Sequence, residues 1–164
     1  MDPTQAKPTK NPTACGFAPI DPGRQVRRLL NACVDQHEFT AMNQAFQPYG
    51  GFATCDEVMR RLRPLAIHPR STLTRWIVSR SVVNVAWRDD TLLPAFQFDL
   101  EQMSVRPACV RVIDELACAF DDREVAMWFA QPNAWLDYAI PVTLLASDEF
   151  AVLQAARVDR FSRG

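Results

Sequence analysis

The sequence predicts a mainly α protein with one small β-hairpin, a winged helix-turn-helix-like module followed by a compact helical domain. Three observations carry that prediction. Apolar residues recur at three- and four-residue spacing over most of the chain beyond Arg24, the period of amphipathic helices. One β-rich stretch, Val82 to Arg88, interrupts them and is followed past Asp89-Asp90 by a second, Thr91 to Phe98. Two short helical patterns joined by a turn stand directly before that hairpin.

Residues 1–22 hold five prolines, two lysines and little apolar content, the composition of a disordered tail. Residues 23–49 are expected to form an N-terminal helix. In it Val26, Leu29, Leu30, Cys33 and Val34 share a face as far as about Phe46, and Pro48-Tyr49-Gly50-Gly51 breaks it. The winged module is expected over 50–100. Thr54 and Glu57 form a capping box for a first helix with Val58, Met59 and Leu62 on its apolar stripe. Pro64 ends it, and a second helix begins with Ser71 or Thr72 as cap and carries Leu73, Trp76, Ile77 and Val78 to about Arg80. Asp89-Asp90 turns the hairpin, and Pro94 puts the second strand at an edge or ends its pairing. The boundary falls near 97–106, and a helical domain fills 105–164. There Pro107 opens one helix, Asp121-Asp122 caps the next (Arg123 to Ala130), Pro132-Asn133 turns, a short helix lies near Trp135, and a last helix spans about Asp148 to Phe161.

Composition excludes several functions. A chain of 164 residues has room for one ordinary domain or two small ones, and 48% hydrophobic residues suffice for a core. Five glycines, with no GxGxxG or GxxxxGK[ST] pattern, argue against a phosphate-cradling loop. A net charge of −1 gives no general attraction to nucleic acid or membrane, so any such partner depends on a local patch. No apolar run approaches the roughly 18 residues of a membrane span, and the first residues lack the apolar core of a secretory signal; a cytoplasmic protein is expected. Five cysteines without a CxxC spacing, and only His37 and His68 beside them, give no metal site. They read as reduced thiols, with Cys109 and Cys118 as small apolar residues of a helix. No cofactor is expected.

Three clusters compete as functional sites. Between Asp56 and Arg88 lie seven arginines (Arg60, Arg61, Arg63, Arg70, Arg75, Arg80 and Arg88) against the acids Asp56 and Glu57. Arginine's planar fork suits phosphate and guanine contacts. The functional reading sets the second helix in a major groove, with Ser71, Thr72, Thr74 and Arg75 near base edges and the other arginines on phosphate. The plainer reading is a solvated positive face. The second cluster, Trp128, Phe129, Trp135, Leu136, Tyr138, Ile140, Pro141, Leu144 and Leu145, is partly core. It holds more large apolar groups than a unit of about 60 residues can bury, so the remainder marks a partner or dimer surface. The third, Asp121, Asp122, Glu124, Asp137, Asp148 and Glu149, fits helix starts better than acid–base chemistry. An enzyme is not expected.

The pattern Trp128-Phe129, Pro132-Asn133, Trp135-Leu136, Pro141, Leu144-Leu145, then an acidic turn, a Val-containing helix and a terminal Arg-Gly, resembles the toxin-binding domain of Xre/MbcA/ParS-type antitoxins of RES-Xre-like systems. The resemblance covers about Pro107 to Gly164. It implies a small helical domain that binds a toxin, often an NAD-degrading RES-type toxin, and an N-terminal helix-turn-helix that dimerises and binds operator DNA. It also implies that Asn133 belongs to the toxin-binding motif and that Arg160 to Gly164 approach the toxin's cleft. Many relatives carry a glycine between the Leu and Pro of this motif, where this chain has Asp137-Tyr138-Ala139-Ile140. Thr54 to Phe98 looks more like the winged segment of MerR or excisionase-type proteins. The expected function is therefore an antitoxin-like homodimeric regulator that binds a partner toxin and double-stranded DNA. The alternatives are a non-DNA-binding interaction adaptor and an orphan transcriptional regulator.

Overall fold

The structure, a computed structural model, describes residues 35–163; the expected tail, the first part of the N-terminal helix and Gly164 lie outside them. The described chain is mainly helical with a small antiparallel sheet. Helix α1 spans Gln36–Phe46 and is set by a capping box. Asp35 accepts from the Glu38 amide at 2.8 Å while the Glu38 carboxylate accepts from the Asp35 amide. Asp35 itself is extended (φ −75°, ψ 168°), so one continuous helix from Arg24 to Phe46 is not formed. A 3-10 turn, Gln47–Tyr49, runs into Gly50 at φ 96°, where a Cβ would stand 3.0 Å from that of Ala95.

Strand β1 (Phe52–Thr54) leads into α2 (Cys55–Leu62), capped by Thr54 and Glu57 as expected. Helix α3 spans Pro69–Val78. Its cap is His68, three residues before Ser71 and four before Thr72, the hydroxyl caps expected. Pro69, with φ already helical and no amide to satisfy, takes the first position, which leaves Ser71 and Thr72 inside the first turn. Strands β2 (Val85–Trp87) and β3 (Asp90–Pro94) form the hairpin, and its two-residue turn is Arg88-Asp89 rather than Asp89-Asp90. Strand β1 pairs with β3, so β3 is central in the order β1-β3-β2 and Pro94 closes its end against Phe52. The stretch 97–106, expected as a bare boundary, is a 3-10 turn (Ala95–Gln97) and a two-stranded ladder of β4 (Phe98–Asp99) and β5 (Ser104–Val105).

Helices α4 (Pro107–Leu116), α5 (Asp122–Ala130), α6 (Pro141–Leu144) and α7 (Glu149–Arg163) complete the described fold, with a 3-10 turn, Ala134–Leu136, between α5 and α6. Helix α4 lies along α7, and α1 packs on α5. Two apolar clusters result. The smaller joins Val58, Leu62 and Leu73 of the helix pair to Val82, Leu93 and Phe98. The larger combines Met42, Phe46, Val83, Val85 and Phe96 with Ile113, Leu116, Phe129 and Val152, so it draws on both sides of 97–106. Gln97, fully buried, fastens the two. Its amide accepts from the Val83 N–H and donates to the Val83 carbonyl, both at 2.9 Å, in the manner of a strand neighbour.

Candidate functional site

The helix pair exposes one positive face. Val58, Leu62 and Leu73 turn inward, and Trp76 packs on Phe98 with ring centroids 6.0 Å apart. Arg60, Arg61 and Arg63 from α2 and its end, and Arg70, Ser71, Thr74 and Arg75 from α3, are exposed; Thr72 is half-buried. Arg60, Arg63 and Arg70 line an open cleft of about 490 Å³ with Asp56, Met59 and Pro69. None of Arg60, Arg61, Arg63, Arg70, Arg75 or Arg88 has an acidic partner within salt-bridge distance among the described residues. Arg88 sits in the hairpin turn at φ 53°, its guanidinium over the Trp87 ring.

Arg80 departs from that set. It follows the C-cap Ser79 in the left-handed region, φ 53°, and closes a Schellman motif. Ser81 donates to the Trp76 carbonyl at 2.9 Å and Arg80 to that of Ile77 at 3.1 Å. That backbone turns its side chain away from the positive face. The guanidinium donates to Asp122 Oδ1 (2.8 Å) and to the carbonyls of Ala117 (2.9 Å) and Phe120 (3.0 Å). Asn84 donates to the other Asp122 oxygen at 2.9 Å. Burial holds the Asp122 carboxyl above the usual carboxylate range even though Arg80 pulls the other way. Arg80 is thus a strut between the helix pair and the C-terminal helices, not a free cation.

The C-terminal cluster divides in the same manner. Leu136 and Pro141 are buried, and Asn133 is 8% exposed. The Asn133 side chain caps the short turn by accepting from the Trp135 amide at 2.9 Å, and its carbonyl accepts from Leu136 and Tyr138. These three residues build the surface rather than present it. What they present is Trp135, 60% exposed, and Tyr138, 74% exposed. Asp137 (φ 52°) and Tyr138 (φ 63°) both occupy the left-handed region, costly for a residue as bulky as tyrosine.

One side chain that sequence reasoning missed organises this corner. The Asp159 carboxylate on α7 accepts from Trp128 Nε1 (2.7 Å), Asn133 Nδ2 (2.6 Å) and Trp135 Nε1 (3.0 Å). The only sequence signal was indirect: indole N–H groups held near a core need an acceptor. Arg160, expected near a partner, reaches Glu115 at 2.6 Å and lies over the Phe161 ring. Arg157 holds the other Glu115 oxygen at 2.9 Å.

Burial pushes the Cys109 thiol up to about 12 and also raises that of Cys55, so neither is a ready thiolate. Cys118, read as a small apolar helix residue, is exposed. Among the described residues no group of three or more His, Cys, Asp or Glu is arranged to hold a metal ion, and no helix is long and apolar enough to cross a membrane. Comparison with protein families, curated proteins and solved structures finds no match to the chain.

Proposed function

We propose that the protein is an antitoxin-like regulator that binds double-stranded DNA through the α2–α3 face and covers a protein partner with the Trp135–Tyr138 face. The observation that carries this reading is how the arginines are paired. Arg80, Arg111, Arg123, Arg157, Arg160 and Arg163 are each matched to a carboxylate. Those on the helix pair are left facing water. A face of unpaired guanidinium groups beside Ser71 and Thr74 suits phosphate and base edges. The element order helix–strand–helix–helix–strand–strand, with β1 outside β3, supports a winged helix. The first turn of α3 carries no acidic residue, unlike those of α1, α2 and α5, so no side-chain carboxylate in that turn would repel an anion there. The adaptor reading draws on one feature: the hairpin tip is only two residues long, Arg88-Asp89, and its exposed Asp89 is followed by the exposed Asp90, two acids that repel phosphate.

Titration with the DNA upstream of the protein's own gene separates the two. DNA binding gives an affinity that falls steeply with added salt, and Arg75→Ala weakens it by about 1–3 kcal/mol and relaxes sequence preference. A salt-independent or absent signal supports the adaptor. The second face is tested by co-purification with the product of the neighbouring reading frame. Trp135→Ala is expected to abolish capture and leave the melting temperature nearly unchanged, as befits an exposed anchor.

A further inference from the structure

We infer that the Trp135 face receives an arginine side chain of the partner, held over the indole by cation–π attraction and by the carboxylates of Asp159 and Asp137. The inference rests on the docking role proposed for this face and specifies its chemistry. Trp135 is 60% exposed, yet its ring is not free to turn, because Nε1 donates to Asp159 at 3.0 Å and its amide donates to Asn133. Donation to an anion polarises the indole and raises electron density on its faces, which strengthens attraction for a cation. Asp159 accepts three N–H groups and has no basic partner within salt-bridge distance among the described residues; neither has the exposed Asp137.

Beside Asp159 on α7, Arg157 and Arg160 are committed to Glu115 and Arg163 to Glu124. No Lys, Arg or His occurs between Arg123 and Arg157. The other acids nearby in the chain are already occupied: Glu124 by Arg163, Glu149 by Arg111, and Asp148 by the Ala151 amide. Asp137 and Tyr138, two and three residues after Trp135 and both in the left-handed region, add an exposed carboxylate and an exposed second ring to the same turn. An aromatic, anionic corner of this kind is complementary to a planar guanidinium and offers no unpaired cationic side chain to an acidic or phosphorylated ligand. A second copy of the chain would have to reach this corner with the unpaired arginines of the α2–α3 face and the hairpin, which the proposed function gives to DNA, so a separate protein partner is the occupant.

The test uses the full chain with labelled indole nitrogens and two probes, the peptide Ac-Gly-Arg-Gly-Arg-Gly-NH2 and the same peptide with citrulline for arginine. The arginine peptide is expected to shift the Trp135 indole resonance and to bind roughly three- to tenfold tighter than the neutral one. Trp135→Leu removes the response, and Asp137→Asn, which leaves the ring and its hydrogen bonds in place, weakens it together with added salt. Equal affinity for both peptides overturns the arginine assignment while leaving a docking face intact, since partner capture is read separately. A response confined to the other three indoles, or none, also overturns it. Concentration-dependent growth of the free chain in sedimentation, abolished by Asp137→Asn, assigns the site to a second copy instead.

Discussion

Asp159 shows how much one side chain can hold. Three N–H donors converge on it, two of them indoles that lack any other acceptor. Asp159→Ala strands the Trp128 and Asn133 donors while water can take the exposed Trp135 N–H, and leaving the two part-buried donors unsatisfied is expected to cost about 2–3 kcal/mol in urea unfolding. A loss below about 0.5 kcal/mol would mean that water replaces the carboxylate freely. Tyr138 makes the opposite case. Its left-handed backbone is a conformation that glycine adopts without strain, so Tyr138→Gly should raise stability by up to about 1 kcal/mol. The same change should weaken partner capture. A gain in both would remove Tyr138 from the proposed surface. At this scale the sequence was legible in part. The motif Pro132-Asn133 to Leu144-Leu145 located the corner, but not which members face outward. Trp135 and Leu136 are neighbours of similar apolar character, and only the turn capped by Asn133 decides that one is exposed and the other buried. Asp159 lies more than twenty residues away and carries no local signature.

Local chemistry predicts elements well where both partners of an interaction are close in sequence. The Thr54–Glu57 box and the cap at Asp121 are read directly from the sequence, and both form; in the structure Glu124 completes a box with Asp121 as well. Thr54→Ala should cost about 1 kcal/mol. The Thr54 amide and hydroxyl hold the Glu57 carboxyl below the usual carboxylate range, so its folded value lies under its unfolded one. Its contribution is therefore complete above the ordinary carboxylate range and is lost as pH falls through the lowered value. Acid should lower the urea midpoint, and Glu57→Gln should remove part of that fall. An identical pH profile in the variant would remove Glu57 from the acid response. Elements that need distant partners were less legible. Strand β1 exists because Ala53 meets Leu93, and β4–β5 because Phe98 meets Val105; neither register is visible locally. At the end of α3, Arg80 occupies a position where glycine is usual. Arg80→Ala should cost roughly 2 kcal/mol, below the 3–5 or so of a fully buried pair because the Arg80 side chain is 34% exposed. Arg80→Gly relieves the backbone strain and should cost about 1 kcal/mol less than Arg80→Ala. Equal losses would show that the strain is negligible.

Across the whole molecule, the division at 97–106 marks a change of role without marking a break in the core. Phe96 stands 4.9 Å from both the Phe46 and Phe129 rings, so the largest apolar cluster begins before the boundary and ends after it. Gln97 fastens the boundary segment to Val83, and Arg80 ties the end of α3 to the start of α5. A positive face on the smaller cluster and an aromatic face on the larger, joined through Gln97 and Arg80, are expected to unfold together. Urea unfolding of the full chain should therefore be a single transition, with tryptophan fluorescence and far-ultraviolet circular dichroism giving the same midpoint. The isolated segment 105–164 lacks Met42, Phe46, Val83, Val85 and Phe96, all buried against it in the intact chain. Each buried side chain of this size is worth about 1.5–3 kcal/mol, so their combined loss exceeds what a unit of 60 residues can spare. That segment should show no cooperative melt, and neither should 35–100. Two separated transitions in the full chain, or a cooperative melt from 105–164 alone, would establish two independent cores and leave Arg80 joining units that fold by themselves.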